Sequence, residues 1–333
     1  MKRFTILFGM VLPVAIAAFP RALSAIRSDR KATNQTETNS QPGNEEKATV
    51  RATMQNVDFH LTDPIVAHIS NLTGKLTPTQ PGIPTFDDKK SFLLDIDSAN
   101  ITVSAVSLTS DLNDFVFAKP DAPLKKLSVT TQGDQLVLKG ILASKGGLSF
   151  ETAGTLTATP DGMIRVHTTR VKAFHLPVKG LMDMLGLSTE TMLNTKNVPG
   201  VTVDKDDLIL DPEEILPPPK MRGHLNSIRV QNGGIALSFG NQDAKGNPPV
   251  LTSSCGGRNF MGFKGGTVRF GKLTMADSDL ELVDSAPADP FDFSIDRYMQ
   301  QLVAGYSKMT PKGGLCVHVP DLNKIQRPPN RKK

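Results

Sequence analysis

The sequence predicts a mainly β protein of the α+β kind, a curved antiparallel meander sheet with a few short helices packed on one side. Three observations lead there. Apolar and polar residues alternate with a period of two over short segments, as Val57, Phe59 and Leu61 do against Asn56, Asp58 and His60. Tight-turn sequences separate many of these segments, among them Gly133-Asp134, Gly146-Gly147, Pro160-Asp161-Gly162 and Asn232-Gly233-Gly234. Helical spacing is confined to short stretches.

Taken in order, Ile65–Leu76 follows as a second, less regular strand, and Pro78–Pro84 as a Pro/Gly loop. Ser91–Leu108 is β-like but changes parity. Phe92, Leu94 and Ile96 share one face, and Ile101 and Val103 lie on the other. A bulge near Ser98–Asn100, or two short strands, accounts for that change. Leu108, Leu112, Phe115 and Val116 then fall at helical spacing, with Ser110 and Asp111 near the expected start and Pro120 and Pro123 beyond the end. Leu127 and Val129, Leu136–Leu142, Leu148 to Leu156 and Met163–Phe174 read as consecutive meander strands. Val178, Leu181, Met182 and Leu185 predict a second short helix, Pro177–Leu187, with Met192 and Leu193 extending its apolar surface. Val201–Val203, Leu208–Leu210 and a hairpin through Ile228, Val230, Ile235, Leu237 and Phe239 follow. The remainder offers strands at Phe263–Phe270, Ser278–Val283 and Leu315–Val319. Behind Ser294 it also offers a helix striped by Ile295, Tyr298, Met299, Leu302, Val303 and Tyr306.

Composition divides the chain. Lys2 and Arg3 precede the apolar run Phe4–Phe19, which contains the small-x-small sequence Ala15-Ile16-Ala17. Residues 1–26 therefore read as a signal peptide or an uncleaved N-terminal anchor. Residues 27–49 are a polar linker with too few apolar groups to fold. Residues 50–240 form a β-rich domain, residues 241–326 a C-terminal α/β extension packed on it, and residues 327–333 a basic tail. The expected location is the periplasm or cell envelope, with possible contact to a membrane surface through the N-terminal segment. The net charge of +5 sits largely at the chain ends, which argues against a nucleic-acid footprint, since that needs a clustered basic face. Trp is absent, so carbohydrate stacking on Trp is excluded. Cys255 and Cys316 are the two cysteines. In an exported protein they are a disulfide candidate, with two free thiols as the alternative.

Catalytic and metal signatures are weak. Gly266-x4-Gly271-Lys272 resembles a phosphate loop, but Leu273 stands where Ser or Thr is needed and the segment is β-like. The six histidines are scattered. His167 and His175 share strand parity but lie about 26 Å apart along an extended chain. Two acidic groups, Asp204 to Glu214 and Asp277 to Asp284, lack the spacing of a calcium loop. Asp277, Asp279 and Glu281 alternate as on a solvated strand face. No catalytic residue, metal site or cofactor is assigned. Asn34, Asn71 and Asn100 begin N-x-[ST] matches of the kind that arise by chance.

An apolar inventory remains. Leu112, Phe115 and Val116 from one helix, and Leu181, Met182, Leu185 and Met192 around the other, are candidates to line a cavity together with Phe150. They would cap a sheet whose inner face carries Leu127, Val129, Leu148, Phe150, Leu156, Ile164 and Val166. Met adapts to varied shapes. An ordinary solid core is the alternative.

The order of features from Val57 to Phe239 resembles the exported lipid-binding domain family typified by the mycobacterial mannan-elongation factor. The resemblance rests on Gly223 followed by Ile228-Arg229-Val230-Gln231-Asn232-Gly233-Gly234-Ile235, and on the strand, Pro-Asp-Gly, strand and helix order from Leu148 to Leu187. It implies a β domain related to tubular lipid-binding folds, and binding of a lipid or other amphiphile without catalysis. The alternatives are a structural or interaction protein of the envelope with a solid core, and a hydrolase built from scattered acids and histidines.

Overall fold

Alternation alone does not account for the first three strands, because each changes parity part-way and still keeps its apolar side chains buried. The computed structural model describes residues 49–143, 147–173, 198–204, 207–240 and 250–325. These belong to one compact unit, Gln41–Lys333. In β1 (Val50–His60) the buried positions run Val50, Ala52, Met54 and then Val57, Phe59. The change falls at Asn56, whose φ is +52° and whose side chain donates to Asn259 Oδ1 at 2.8 Å. β2 (Val66–Pro78) and β3 (Phe92–Ser104) pair with register shifts at the matching level. The parity change in the sequence is therefore a bulge within one continuous β3, which leaves Asp97 without a partner on β2.

The other strands are β4 (Leu124–Gln132), β5 (Gln135–Leu142), β6 (Leu148–Ala158), β7 (Ile164–Ala173), β8 (Val201–Asp204), β9 (Asp207–Leu210), β10 (Lys220–Arg222), β11 (Leu225–Gln231), β12 (Gly234–Phe239), β13 (Phe260–Phe270), β14 (Leu273–Asp284), β15 (Phe291–Ser294), β16 (Tyr306–Met309) and β17 (Leu315–Val319). Eleven strands form the larger sheet, in the order β11-β12-β3-β2-β1-β13-β14-β17-β16, with β10 paired to β3 and β15 to β1. Six form the smaller sheet, in the order β4-β5-β6-β7-β9-β8. Strands β4 to β7 of the smaller sheet are the antiparallel meander that the turns predict, and β9 pairs with β7 ahead of β8. The larger sheet departs from a pure meander, since β1–β15, β3–β10 and β14–β17 run parallel.

The C-terminal extension does more than pack on the β domain. β13 pairs edge to edge with β1, so the residues after 250 complete the larger sheet. Phe86 stacks on Phe270 at 4.0 Å between centroids and meets Phe263 edge-on at 5.3 Å, joining an early loop to β13. Cys255 and Cys316 form a disulfide. The expected phosphate-loop look-alike is the β13–β14 hairpin, where Gly271 takes the positive φ of +57° that its turn requires.

Two helical expectations need correction. The stripe from Ile295 to Tyr306 is not one helix. Only Tyr298–Ala304 is helical, and Tyr306 begins β16, drawn into strand by pairing with β17. Earlier, the helix starts at Ala105 rather than near Ser110. Ser104 caps it by accepting from Ser107 N at 3.0 Å, a signal hidden because Ser104 also ends β3. It continues as a π-helical turn, Leu112–Val116. The second predicted helix, with Leu181, Met182, Leu185 and Met192, lies outside the described residues. No helix among the described residues is long and apolar enough to cross a membrane.

Candidate binding cavity

The helical segment 105–116 is fastened to both sheets by backbone and side-chain hydrogen bonds. Ala105 N donates to Gly233 O at 2.7 Å, in the β11–β12 turn. Ser107 Oγ accepts from Val66 N at 3.2 Å on β2. Thr109 Oγ1 accepts from Val129 N at 2.9 Å on β4. Asn113 makes two bonds to the backbone of Leu127. Gly233 N in turn donates to Thr131 Oγ1 at 3.1 Å, linking the two sheets directly. The segment is thereby held as a cover over the smaller sheet.

Beneath it lies a cavity of about 190 Å³. All six strands of the smaller sheet contribute, and alternate residues of the central ones face inward: Leu136 and Leu138, then Thr152, Gly154 and Leu156, then Ile164, Val166 and Thr168. Leu108, Leu112, Val116 and Phe117 close one side, and Ile228 and Ile235 of the larger sheet another. Gly154 lines the cavity where β6 and β7 slip register, and a Cβ there would meet His167 O at 2.7 Å, so a side chain would force the two strands to shift. A second chamber of about 70 Å³ adjoins the first. Leu108, Asp111, Ile164, Ile215 and Ile235 line both, forming the partition between them.

Among the described residues Asp111 is the ionisable member of this lining, whose other polar side chains are Thr152 and Thr168. It is 4 % exposed, and its Oδ1 has no hydrogen-bond partner among the described residues. Burial pushes its carboxyl up to about 7. It ends the helix Ala105–Asp111 and opens the π-helical turn, a local structure often found at functional positions.

The expected lining residues divide. Leu112 and Val116 line the cavity, as do Val129, Leu156, Ile164 and Val166 of the expected inner face. Phe115 does not line it and is 38 % exposed, because the π-helical turn carries it off the apolar stripe. Phe150 belongs instead to a separate buried cluster with Leu124, Leu127 and Leu142, against which Leu148 packs. Leu181, Met182, Leu185 and Met192 lie outside the described residues. Asp111, expected near the helix start, instead ends the helix and lines the cavity. Its signal is its place among Leu108 and Leu112 on the apolar face of the helix.

Other titratable groups are engaged elsewhere. His60 Nε2 meets Asp292 at 2.5 Å, and its Nδ1 faces Asp63 O at 3.2 Å, so both ring nitrogens are occupied. Asp207 pairs with Arg165 and His167, and Asp211 caps the helix Pro212–Ile215. Glu281 corrects the solvated-face expectation. It is 4 % exposed and accepts from Ser254 N at 2.9 Å and from the Ser253 hydroxyl, anchoring the loop that carries Cys255. Asn71, one of the N-x-[ST] matches, is buried and accepts from Asn100 N at 3.1 Å. No cluster of three metal-ligating side chains occurs among the described residues.

No protein-family model, curated protein or solved structure matches the chain. The geometry of the cavity is therefore the basis for a functional reading.

Proposed function

We propose that this is an exported, non-catalytic protein of the cell envelope that binds a lipid or other amphiphile in the chamber between its sheets. The observation that carries this reading is the cavity of about 190 Å³, walled almost wholly by Leu, Ile, Val and Phe and covered by a fastened helical segment. A solid-core scaffold would fill that volume. Each methylene transferred from water to such walls contributes about 0.8 kcal/mol. The Cys255–Cys316 disulfide supports the exported part of the reading, because such bonds persist in oxidising compartments. A hydrolase would need a convergent set of titratable groups, whereas Asp111 stands alone in this lining among the described residues.

The test is native mass spectrometry of the full-length protein purified from an envelope-containing host, beside a Val166→Phe variant that fills the chamber. The reading expects co-purifying masses that extract as amphiphiles from the wild type and are absent from the folded variant. A clean mass that takes up no added amphiphile would favour the solid-core scaffold.

A further inference from the structure

Asp111 sits where an apolar chamber has least use for a carboxyl group. It stands in the partition between the two chambers and lines both. It is more than nine-tenths buried, and Oδ1 has no partner among the described residues. Buried polar atoms are almost always paired, so an orphaned carboxyl oxygen at a cavity wall calls for a partner from what fills the cavity.

The charged groups of the surrounding elements are directed elsewhere. Asp114 on the same segment is exposed, as are Lys125 and Lys126 on β4 and Arg229 on β11. On β2 and β3, His68 pairs with Asp58 and Asp95 with Arg222, while Asp97 is exposed. On β5 and β6, Lys139 pairs with Glu151. On β7, Arg165 and His167 pair with Asp207 of β9. Beside the smaller chamber, Glu214 pairs with Lys220 and Glu213 acts on Arg222. Among the described residues, then, no cation faces Asp111.

We propose that Asp111 sets the specificity of this cavity, holding the uncharged hydroxyl head of a medium-chain amphiphile and rejecting an anionic head; this rests on the binding reading above. A hydroxyl both donates and accepts. It satisfies a protonated Asp111, which donates and accepts in return, and it still donates to the ionised form. A ligand carboxylate has no proton to offer, and two anions side by side in a dry chamber repel without a cation to screen them. Chain length follows from volume. An apolar cavity of about 150 Å³ is known to hold benzene. Scaled on that basis, a chain running from a head at the partition into the larger chamber of about 190 Å³ has room for about eight carbons.

The probes are 1-octanol and octanoate, titrated below micelle formation into the full-length protein at pH 8, with Asp111→Asn beside the wild type. The expected result is that the wild type binds 1-octanol at least about tenfold more tightly than octanoate. Asn keeps the volume and removes the charge, so it should narrow that ratio to about threefold or less. Lowering the pH from 8 to 6.5, where octanoate itself stays ionised, should strengthen octanoate binding in the wild type but not in Asp111→Asn, and leave 1-octanol binding nearly unchanged. Equal affinities for both probes, or a ratio that Asp111→Asn leaves intact, would overturn the specificity role while leaving the cavity a binding site. Failure of the wild type to bind either probe would overturn the binding reading and this inference with it.

Discussion

Asn113 and Leu127 are joined by two hydrogen bonds. Leu127 N donates to Asn113 Oδ1 at 2.9 Å, and Asn113 Nδ2 donates to Leu127 O at 2.8 Å. The pair sits where β4 slips register against β5, between Lys125 and Ser128. Lys126 has a φ of +52° there. A side chain thus does the work of a missing strand partner and pins the π-helical turn to the edge of the smaller sheet.

Replacing Asn113 with Ala should leave both backbone groups of Leu127 unpaired and lower stability by about 1–3 kcal/mol. Denaturant unfolding gives the magnitude, and faster amide exchange at Leu127 gives the location. Unchanged exchange at Leu127 would show that this clamp does not hold the cover.

Asp111 makes stability depend on pH. Burial raises its carboxyl from an ordinary 3.8 to about 7 in the folded state. The unfolded chain therefore releases this proton first, and stability falls as pH rises from about 3.8 to about 7. Asp111→Asn removes the effect. It should be more stable than wild type at pH 8, by an amount on the order of 4 kcal/mol at most, and indistinguishable from it near pH 3.5. A stability difference independent of pH would contradict this account.

In the His60–Asp292 pair the two groups respond to pH in opposite directions. Burial lowers the affinity of His60 for its proton, but the hydrogen bond and charge of Asp292, with Asp63 O, outweigh it and raise the imidazole above 6.5. For Asp292, burial acts upward, and His60 and Asn323 N outweigh it and hold the carboxyl below 3.8. The stabilisation from His60 is complete below pH 6.5 and lost as pH rises through its folded value. That from Asp292 is lost in acid, below 3.8. A thermal-unfolding profile of wild type against His60→Gln should converge above neutrality and separate near pH 5.5. Parallel profiles across that range would rule the pair out as the source.

The disulfide ties the loop held by Glu281 to β17 across a sequence separation of 61 residues. Closing a loop of that length removes unfolded-state freedom worth about 4 kcal/mol in the chain-entropy model. The double variant Cys255→Ser with Cys316→Ser should unfold at lower denaturant by a comparable free energy. An unaltered midpoint would mean that Glu281 and its partners fix the loop unaided.

Much of the scaffold is written in local pattern. The strand alternation at Val57 to Leu61, the Pro160-Asp161-Gly162 turn and the inward row of Leu156, Ile164 and Val166 each follow from spacing and turn chemistry. The parity change between Ile96 and Ile101 predicts a bulge near Ser98–Asn100, and the structure places it at Asp97. The cavity wall was partly legible too, since Leu112 and Val116 fall on one helical stripe. Phe115 fell on that stripe by count and left it in space, because five-residue hydrogen bonding turns the π-helical segment out of phase with an α-helix.

The sequence by itself determined a mainly β chain with short helices and the set of apolar side chains available to a core, because periods of two and 3.6 are local properties of the backbone. Only the tertiary structure decided that the residues after 250 complete the sheet begun by β1, that Tyr306 is strand and not helix, and that Asp111 is buried between two chambers. Those outcomes depend on pairing and burial between residues far apart in the chain, which no local pattern encodes.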